Sequence, residues 1–263
     1  MPVNFESRAA VALITLDRPE KGNAIDPAMA AELEAALDQL EADPTLRVAV
    51  LCATYMQGRR PVFCAGHDLG HFFRHFNTAE EHAVSTVRGG FAGFVQRHRG
   101  KPVIAAVDGL ATAGGFEIVL ACDLLIATPR ARFALPETRW NLIASGGGVF
   151  LAPRALGRMI ATDMLLTGAE LSGERAYTLG FASRLVSSED LMDEAMRAAH
   201  AICANAPMAL ALTRDAIERC EMADRDTAWS IAQEAEARLR GTSDLREGLA
   251  SFVERRLPCW TGA

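Results

Sequence analysis

Short, continuous apolar runs fill the first part of the chain and give way to helical spacing in the last. Residues 11–16, 48–53, 62–65 and 103–107 are brief β-rich runs bounded by Pro, Gly or Asp. Runs without polar alternation predict strands buried on both faces, and hence an α/β architecture. Residues 27–40 instead carry Met29, Leu33, Ala36, Leu37 and Leu40 near helical spacing. Asp26 stands at the N-cap position and Pro27 at the first helical position, both helix-start signals. From about residue 190 the pattern is helical: 191–205, 207–221, 227–240 and 243–256 combine many alanines with charged faces. A core over residues 1–195 and a helical region over 196–263 are expected, with no low-complexity segment or fixed-period repeat.

Composition narrows the classes. Half of the 263 residues are hydrophobic and 23% are charged, an ordinary globular balance. The net charge of −6 lacks the basic excess of a nucleic-acid surface, although a local basic cluster is compatible with a phosphorylated ligand. Cys52, Cys64, Cys122, Cys203, Cys220 and Cys259 show no CxxC spacing and predict reduced, mostly structural thiols of an intracellular protein. The N-terminal residues lack the basic-then-apolar pattern of a secretion signal, and no run approaches the ~18 apolar residues of a membrane span. A soluble, cytoplasmic protein is expected.

Candidate chemistry gathers at two glycine-bearing junctions. One runs from Pro61 through Cys64-Ala65-Gly66-His67-Asp68-Leu69, the other from Lys101 through Ala113-Gly114-Gly115-Phe116 to Glu117. A strand end that turns sharply into a helix exposes backbone N–H groups, and the helix N-terminus adds partial positive charge. Two such groups converging on one point would bind an oxyanion, and the glycines let backbone approach a substrate without a Cβ between them. Glu117 follows the Gly114-Gly115 pair, and Glu137 closes the loop-like Ala134-Leu135-Pro136-Glu137. Of two carboxylates beside one reacting carbonyl, one can accept a proton while the other donates. Taken alone, either junction reads as an ordinary buried strand-to-helix turn.

Taken in order, these segments resemble the crotonase (enoyl-CoA hydratase/isomerase) superfamily, closest to its two-glutamate hydratases. The likeness is carried by Leu16-Asp-Arg-Pro-Glu-Lys-Gly-Asn-Ala24, Cys64-Ala-Gly-His-Asp-Leu69, Lys101-Pro-Val-Ile-Ala-Ala-Val107, Ala113-Gly-Gly-Phe-Glu117, Cys122-Asp123, Phe133-Ala-Leu-Pro-Glu137 and Leu166-Thr-Gly168. The resemblance implies a crotonase-like spiral of ββα turns, holding the CoA-thioester site, followed by helices that pack homotrimers, often paired into hexamers. It implies that the backbone N–H groups of Ala65 and Gly114 form the oxyanion hole. By the same match, Glu117 activates water for attack at C3 and Glu137 supplies the proton to C2. Arg18, Lys21, Ala24, Ala65, Asp68 and Leu69 fall at CoA-binding positions, although Arg18 and Lys21 read equally as solvated side chains on a turn. His71, Phe72, Phe73 and Trp140 are expected around the acyl pocket. No metal or redox cofactor is implied, since coenzyme A is part of the substrate.

The implied reaction is reversible addition of water across the C2=C3 double bond of a 2-enoyl-CoA. Alternatives are an enoyl-CoA isomerase, which would rely mainly on Glu137, or a specialised dehydratase of the carnitinyl-CoA type. Outside catalysis stands an RNA- or partner-binding homologue, against which the acidic balance speaks. One departure concerns the loop 141–148, Asn-Leu-Ile-Ala-Ser-Gly-Gly-Gly. Asn141, Ala144 and Ser145 replace a glycine, a proline and a second glycine of the family's hydratases, in a loop expected to position Glu137 and its water. Ser145 reads as a helix N-cap, with a hydrogen bond to a substrate or a water as the other reading. The spacing of His67, His71 and His75 is compatible with a metal site, but the resemblance assigns them to acyl-pocket or surface positions. Gly109 and Gly114 are not followed by the Lys-Ser/Thr of a P-loop, and no Gly-x-Ser-x-Gly elbow surrounds Ser145.

Overall fold

Successive strand pairs build the core by contributing one strand to each of two sheets. The computed structural model describes residues 1–76, 78 and 83–263. Val48–Ala53 is followed by Val62–Cys64, Val103–Val107 by Leu110–Thr112, and Leu124–Ala127 by Arg132–Ala134. The first members of these pairs lie parallel in a six-stranded sheet, and the second members lie parallel in a four-stranded sheet. Helices Leu69–Arg74 and Gly114–Leu120 follow the first two pairs, so each turn reads ββα. Val3–Arg8 and Val11–Leu16 extend the larger sheet as a hairpin, and Arg184–Leu185 closes its far edge.

The apolar runs account for this order. Val48, Val50, Ile104, Ala106 and Ile126 face one side of the larger sheet, and Ala49, Leu51, Val103, Ala105 and Val107 face the other. Both sides are covered, which is why the strands show no polar alternation. Helix Pro27–Ala42 lays Met29, Leu33, Ala36, Leu37 and Leu40 on the core, and its Asp26 cap accepts from the Met29 N–H at 2.9 Å. The other side of the sheet is covered by Leu191, Ala195, Ala198 and Ala199. These belong to the single helix Leu191–Cys203, which runs through the boundary expected between residues 195 and 196. That helix completes the core. The separate helical region therefore begins after it, with Pro207–Cys220, Arg225–Leu239 and Ser243–Glu254. Among the described residues no helix is long and apolar enough to cross a membrane.

Candidate active site

Glu117 sits on the first turn of helix Gly114–Leu120 and is only 4% exposed. The residue before that helix, Ala113, has φ 51°, a left-handed conformation that an L-residue adopts at some strain. Ala113 is held there by its N–H bond to Ala134 O at 2.9 Å. The helix starts abruptly as a result. Gly114 has no room for a side chain, because a Cβ would lie 2.4 Å from Phe91 Cε1.

Loop 141–148 grips the Glu117 carboxyl. The Gly148 N–H donates to Glu117 Oε1 at 2.9 Å, and a Cβ on Gly146 would stand 2.5 Å from Oε2. Burial pushes the Glu117 carboxyl up to about 7; the Gly148 N–H pulls it back in part, and repulsion from Glu137 adds to the rise. Glu137 opens the single turn Glu137–Trp140, is 8% exposed, and is also raised by burial. Its Oε2 is buried without a hydrogen-bond partner. Two buried carboxyl groups thus lie within electrostatic reach, one held by a backbone donor and the other with an unsatisfied oxygen, which makes them candidates for proton transfer.

The loop's departures find physical explanations. Asn141 replaces a glycine at φ 57°, in the left-handed region that asparagine tolerates. Ala144 is buried, and Gly146 and Gly148 keep the close approach to Glu117. The loop therefore positions Glu117, where the sequence pointed to Glu137. Ser145 is exposed and caps no helix: helix Gly148–Leu156 is preceded by Gly147 at φ 111°.

The turn carrying Ala65 differs from expectation. The Ala65 N–H donates to Gly22 O at 2.9 Å, so it is already bonded and cannot serve an oxyanion. Gly66 abuts the second junction, since a Cβ there would lie 2.8 Å from Gly114 N. Ile25 N–H bonds Gly66 O, and Asp68 N–H bonds Ile25 O. This parallel bridge turns the peptide N–H of His67 away from Ile25.

Asn23, whose role the sequence did not reveal, ties these turns together. It is fully buried, accepts from Arg18 N–H, and donates to Thr54 O and Val62 O. The sequence-level hint is an Asn after Gly in a turn, and the structure holds Asn23 at φ 52°. Arg18 pairs with Asp26 at 3.0 Å and Asp68 at 3.1 Å. Asp68 also caps helix Leu69–Arg74 through the His71 N–H. Arg18 and Asp68 thus brace the turn, and their charges are already matched. Ala24 is buried, while Lys21 and Leu69 are exposed beside them.

Of the expected acyl-pocket residues, His71 and Phe72 are half-buried near His67. Phe73 and Trp140 are 84% and 67% exposed. His71 and His75 stack with ring centroids 4.4 Å apart, and among the described residues no cluster of His, Cys, Asp or Glu is arranged to hold a metal. Two cavities, of about 890 and 460 Å³, lie elsewhere and are lined by neither glutamate. The buried carboxyl pair, and not cavity size, marks the site.

The profile of the enoyl-CoA hydratase/isomerase family matches residues 6–263. The chain belongs to that family. It is 34% identical to a carnitinyl-CoA dehydratase of Proteus mirabilis, covering 99% of this chain and 98% of the relative. It is 35% identical to the (E)-benzylidenesuccinyl-CoA hydratase of Thauera aromatica over the whole of both chains. An enoyl-CoA hydratase structure from Mycobacterium marinum superposes with a TM-score of 0.90 at 36% identity, covering 100% of this chain and 99% of that one. One from Bacillus anthracis gives 0.92 at 31% identity over 100% of both. The two-sheet spiral is therefore the family's crotonase fold.

Proposed function

We propose that this chain is an enoyl-CoA hydratase, a lyase that adds water reversibly across the C2=C3 bond of a 2-enoyl-CoA. The observation that carries the reading is the buried Glu117–Glu137 pair, one oxygen held by the Gly148 N–H and the opposing Oε2 unsatisfied, in a chain of this family. Glu117 takes a proton from water as its oxygen bonds to C3. The π electrons move toward the thioester oxygen, and Glu137 then protonates C2. A donor bonded to the carboxylate favours its charged form, which suits a base, whereas an unsatisfied buried carboxyl favours the neutral form, which suits an acid. The Gly114 N–H is one donor for the enolate oxygen, and the His67 peptide N–H replaces Ala65 as the second. Losing one such donor typically lowers the rate by roughly 10²–10³.

Hydration changes no net oxidation state, so the scheme calls for no redox cofactor, and the two N–H donors take the enolate charge that a Lewis-acid metal would otherwise hold. Lys21, Ala24 and Leu69 border the CoA path along the braced 18–26 turn. The enzyme works as a cytoplasmic homotrimer, or as a pair of trimers, without nucleic-acid or membrane partners. The carnitinyl-CoA dehydratase relatives favour one second reading, in which the same groups run chiefly toward elimination from a 3-hydroxyacyl-CoA.

A panel of 2-enoyl-, 3-enoyl- and 3-hydroxyacyl-CoA thioesters tests this. The expected result is loss of the conjugated absorbance from a 2-enoyl-CoA, with a mass gain of one water. Migration of 3-enoyl to 2-enoyl substrates without hydration would make the protein an isomerase instead.

A further inference from the structure

A set of aromatic rings borders Gly114 that the proton transfers do not use. The Phe91 ring fills the space where a Gly114 side chain would be. His67 lies 6.3 Å from Phe91 between ring centroids, and 5.2 Å from Phe72 in an edge-on arrangement. His71 follows at 6.5 Å from His67. These four rings are all half-buried, whereas Phe116 and Phe133 of the core are fully buried. They form a wall that is neither core nor open surface. Phe91 is presented by the two-residue strand Gly90–Phe91, paired with Ser85–Thr86.

The composition of the wall is selective. Its centroid separations fall within the roughly 4.5–7 Å at which aromatic rings attract one another, so one more ring continues an existing pattern. An alkyl chain packed on the wall carries no quadrupole to match the faces and edges of these rings. An aryl guest presents a π face or a polarised edge instead. A quaternary ammonium is the other guest that aromatic walls accept. Two of these four rings are imidazoles, however, and the faces that hold a cation are those of Trp, Tyr and Phe.

We propose that this wall selects an aryl-conjugated 2-enoyl-CoA and that Phe91 is the specificity-determining residue; the inference rests on the hydratase reading. With the thioester oxygen at the Gly114 N–H, Phe91 is the ring nearest the reacting end, and the substituent on C3 runs along the wall.

Three thioesters decide it: cinnamoyl-CoA, crotonyl-CoA and crotonobetainyl-CoA, compared by kcat/KM. The wild-type protein is expected to favour cinnamoyl-CoA over the other two by tenfold or more. In Phe91→Leu the cinnamoyl-to-crotonyl ratio should fall about fivefold, the scale of one lost aromatic pair. Calorimetry on the wild-type protein with 3-phenylpropanoyl-CoA and butanoyl-CoA needs no variant and should show tighter binding of the aryl ligand. A preference for crotonyl- or crotonobetainyl-CoA overturns the inference, as does an unchanged ratio in folded Phe91→Leu. Should that variant not fold, equal binding of the two saturated ligands overturns it. If no 2-enoyl-CoA is hydrated at all, the hydratase reading falls, and the calorimetric comparison alone then decides whether the wall selects an aryl group.

Discussion

Glu117 is pulled two ways: burial favours its neutral form, and the Gly148 N–H favours its charge. Burial wins, and the folded carboxyl rises from its ordinary 4.5 to about 7. A carboxyl whose folded pKa is raised binds its proton more tightly in the native state. Its contribution to stability is full below about 4.5 and is lost as pH rises through about 7. Glu117→Gln keeps a carbonyl oxygen for the Gly148 N–H and never ionises. It should therefore stabilise the protein at pH 8, on the order of a few kcal/mol, and far less near pH 4.5. Denaturant unfolding at the two pH values checks this, and an equal effect at both would contradict it. In the wild-type protein kcat/KM should fall as pH drops below about 7, because a base must be deprotonated. Gly146→Ala tests the grip from the other side. Its Cβ would meet Oε2 at 2.5 Å, and a displacement of about 1 Å can lower the rate on the order of 10². Activity near wild type in a folded Gly146→Ala protein would mean that the loop does not set the Glu117 geometry.

At the scale of elements, two turns meet because Asn23 and Arg18 hold them. Arg18→Ala removes partners from Asp26 and Asp68, and hydrogen bonds to charged groups contribute roughly 1.5–3 kcal/mol. A stability loss of about 2 kcal/mol and a raised KM are expected, measured by urea unfolding and initial rates. Full stability in Arg18→Ala would show that the brace is dispensable. These braces explain what could be read from sequence and what could not. Val11–Leu16, Val48–Ala53 and Val103–Val107 were legible because burial on both faces leaves an unbroken apolar run. Arg132–Ala134, Leu171–Ser172 and Arg184–Leu185 are two or three residues long; such strands exist through pairing with distant chain and leave no local pattern. The two glutamates were legible as residues. Which backbone N–H is open was not, since the Ala65 bond is made by Gly22, a partner on another turn.

The whole molecule leaves an apolar stripe unmatched at its C-terminal end. Leu249, Phe252, Val253 and Leu257 are 62%, 85%, 79% and 90% exposed, spaced along one face of helix Ser243–Glu254 and just beyond it. Trp260 packs within the chain. Its Nε1 donates to Ala204 O at 2.7 Å, and its ring lies against Gly248. The remaining exposed apolar side chains gather at one place, the arrangement that marks an interaction surface. A trimer or hexamer is expected by sedimentation, and Phe252→Asp with Leu249→Asp should shift the protein to smaller species. A monomeric wild-type protein at micromolar concentration would remove this expectation. The four C-terminal helices were legible from their alternating alanine and charge. Their division was not, because the first of them covers the sheet.

The central claim is that Glu117 and Glu137 act together on one water. Its most direct measurement is the rate of 2-enoyl-CoA hydration by wild type, Glu117→Gln, Glu137→Gln and the double variant, each checked for folding. General acid–base catalysis supplies about 10²–10⁴-fold, and groups acting as a unit are not additive. Each single variant should therefore lose at least about 10²-fold, and the double variant should be little worse than the poorer single one. Robust hydration by a folded Glu117→Gln protein would contradict the two-glutamate account.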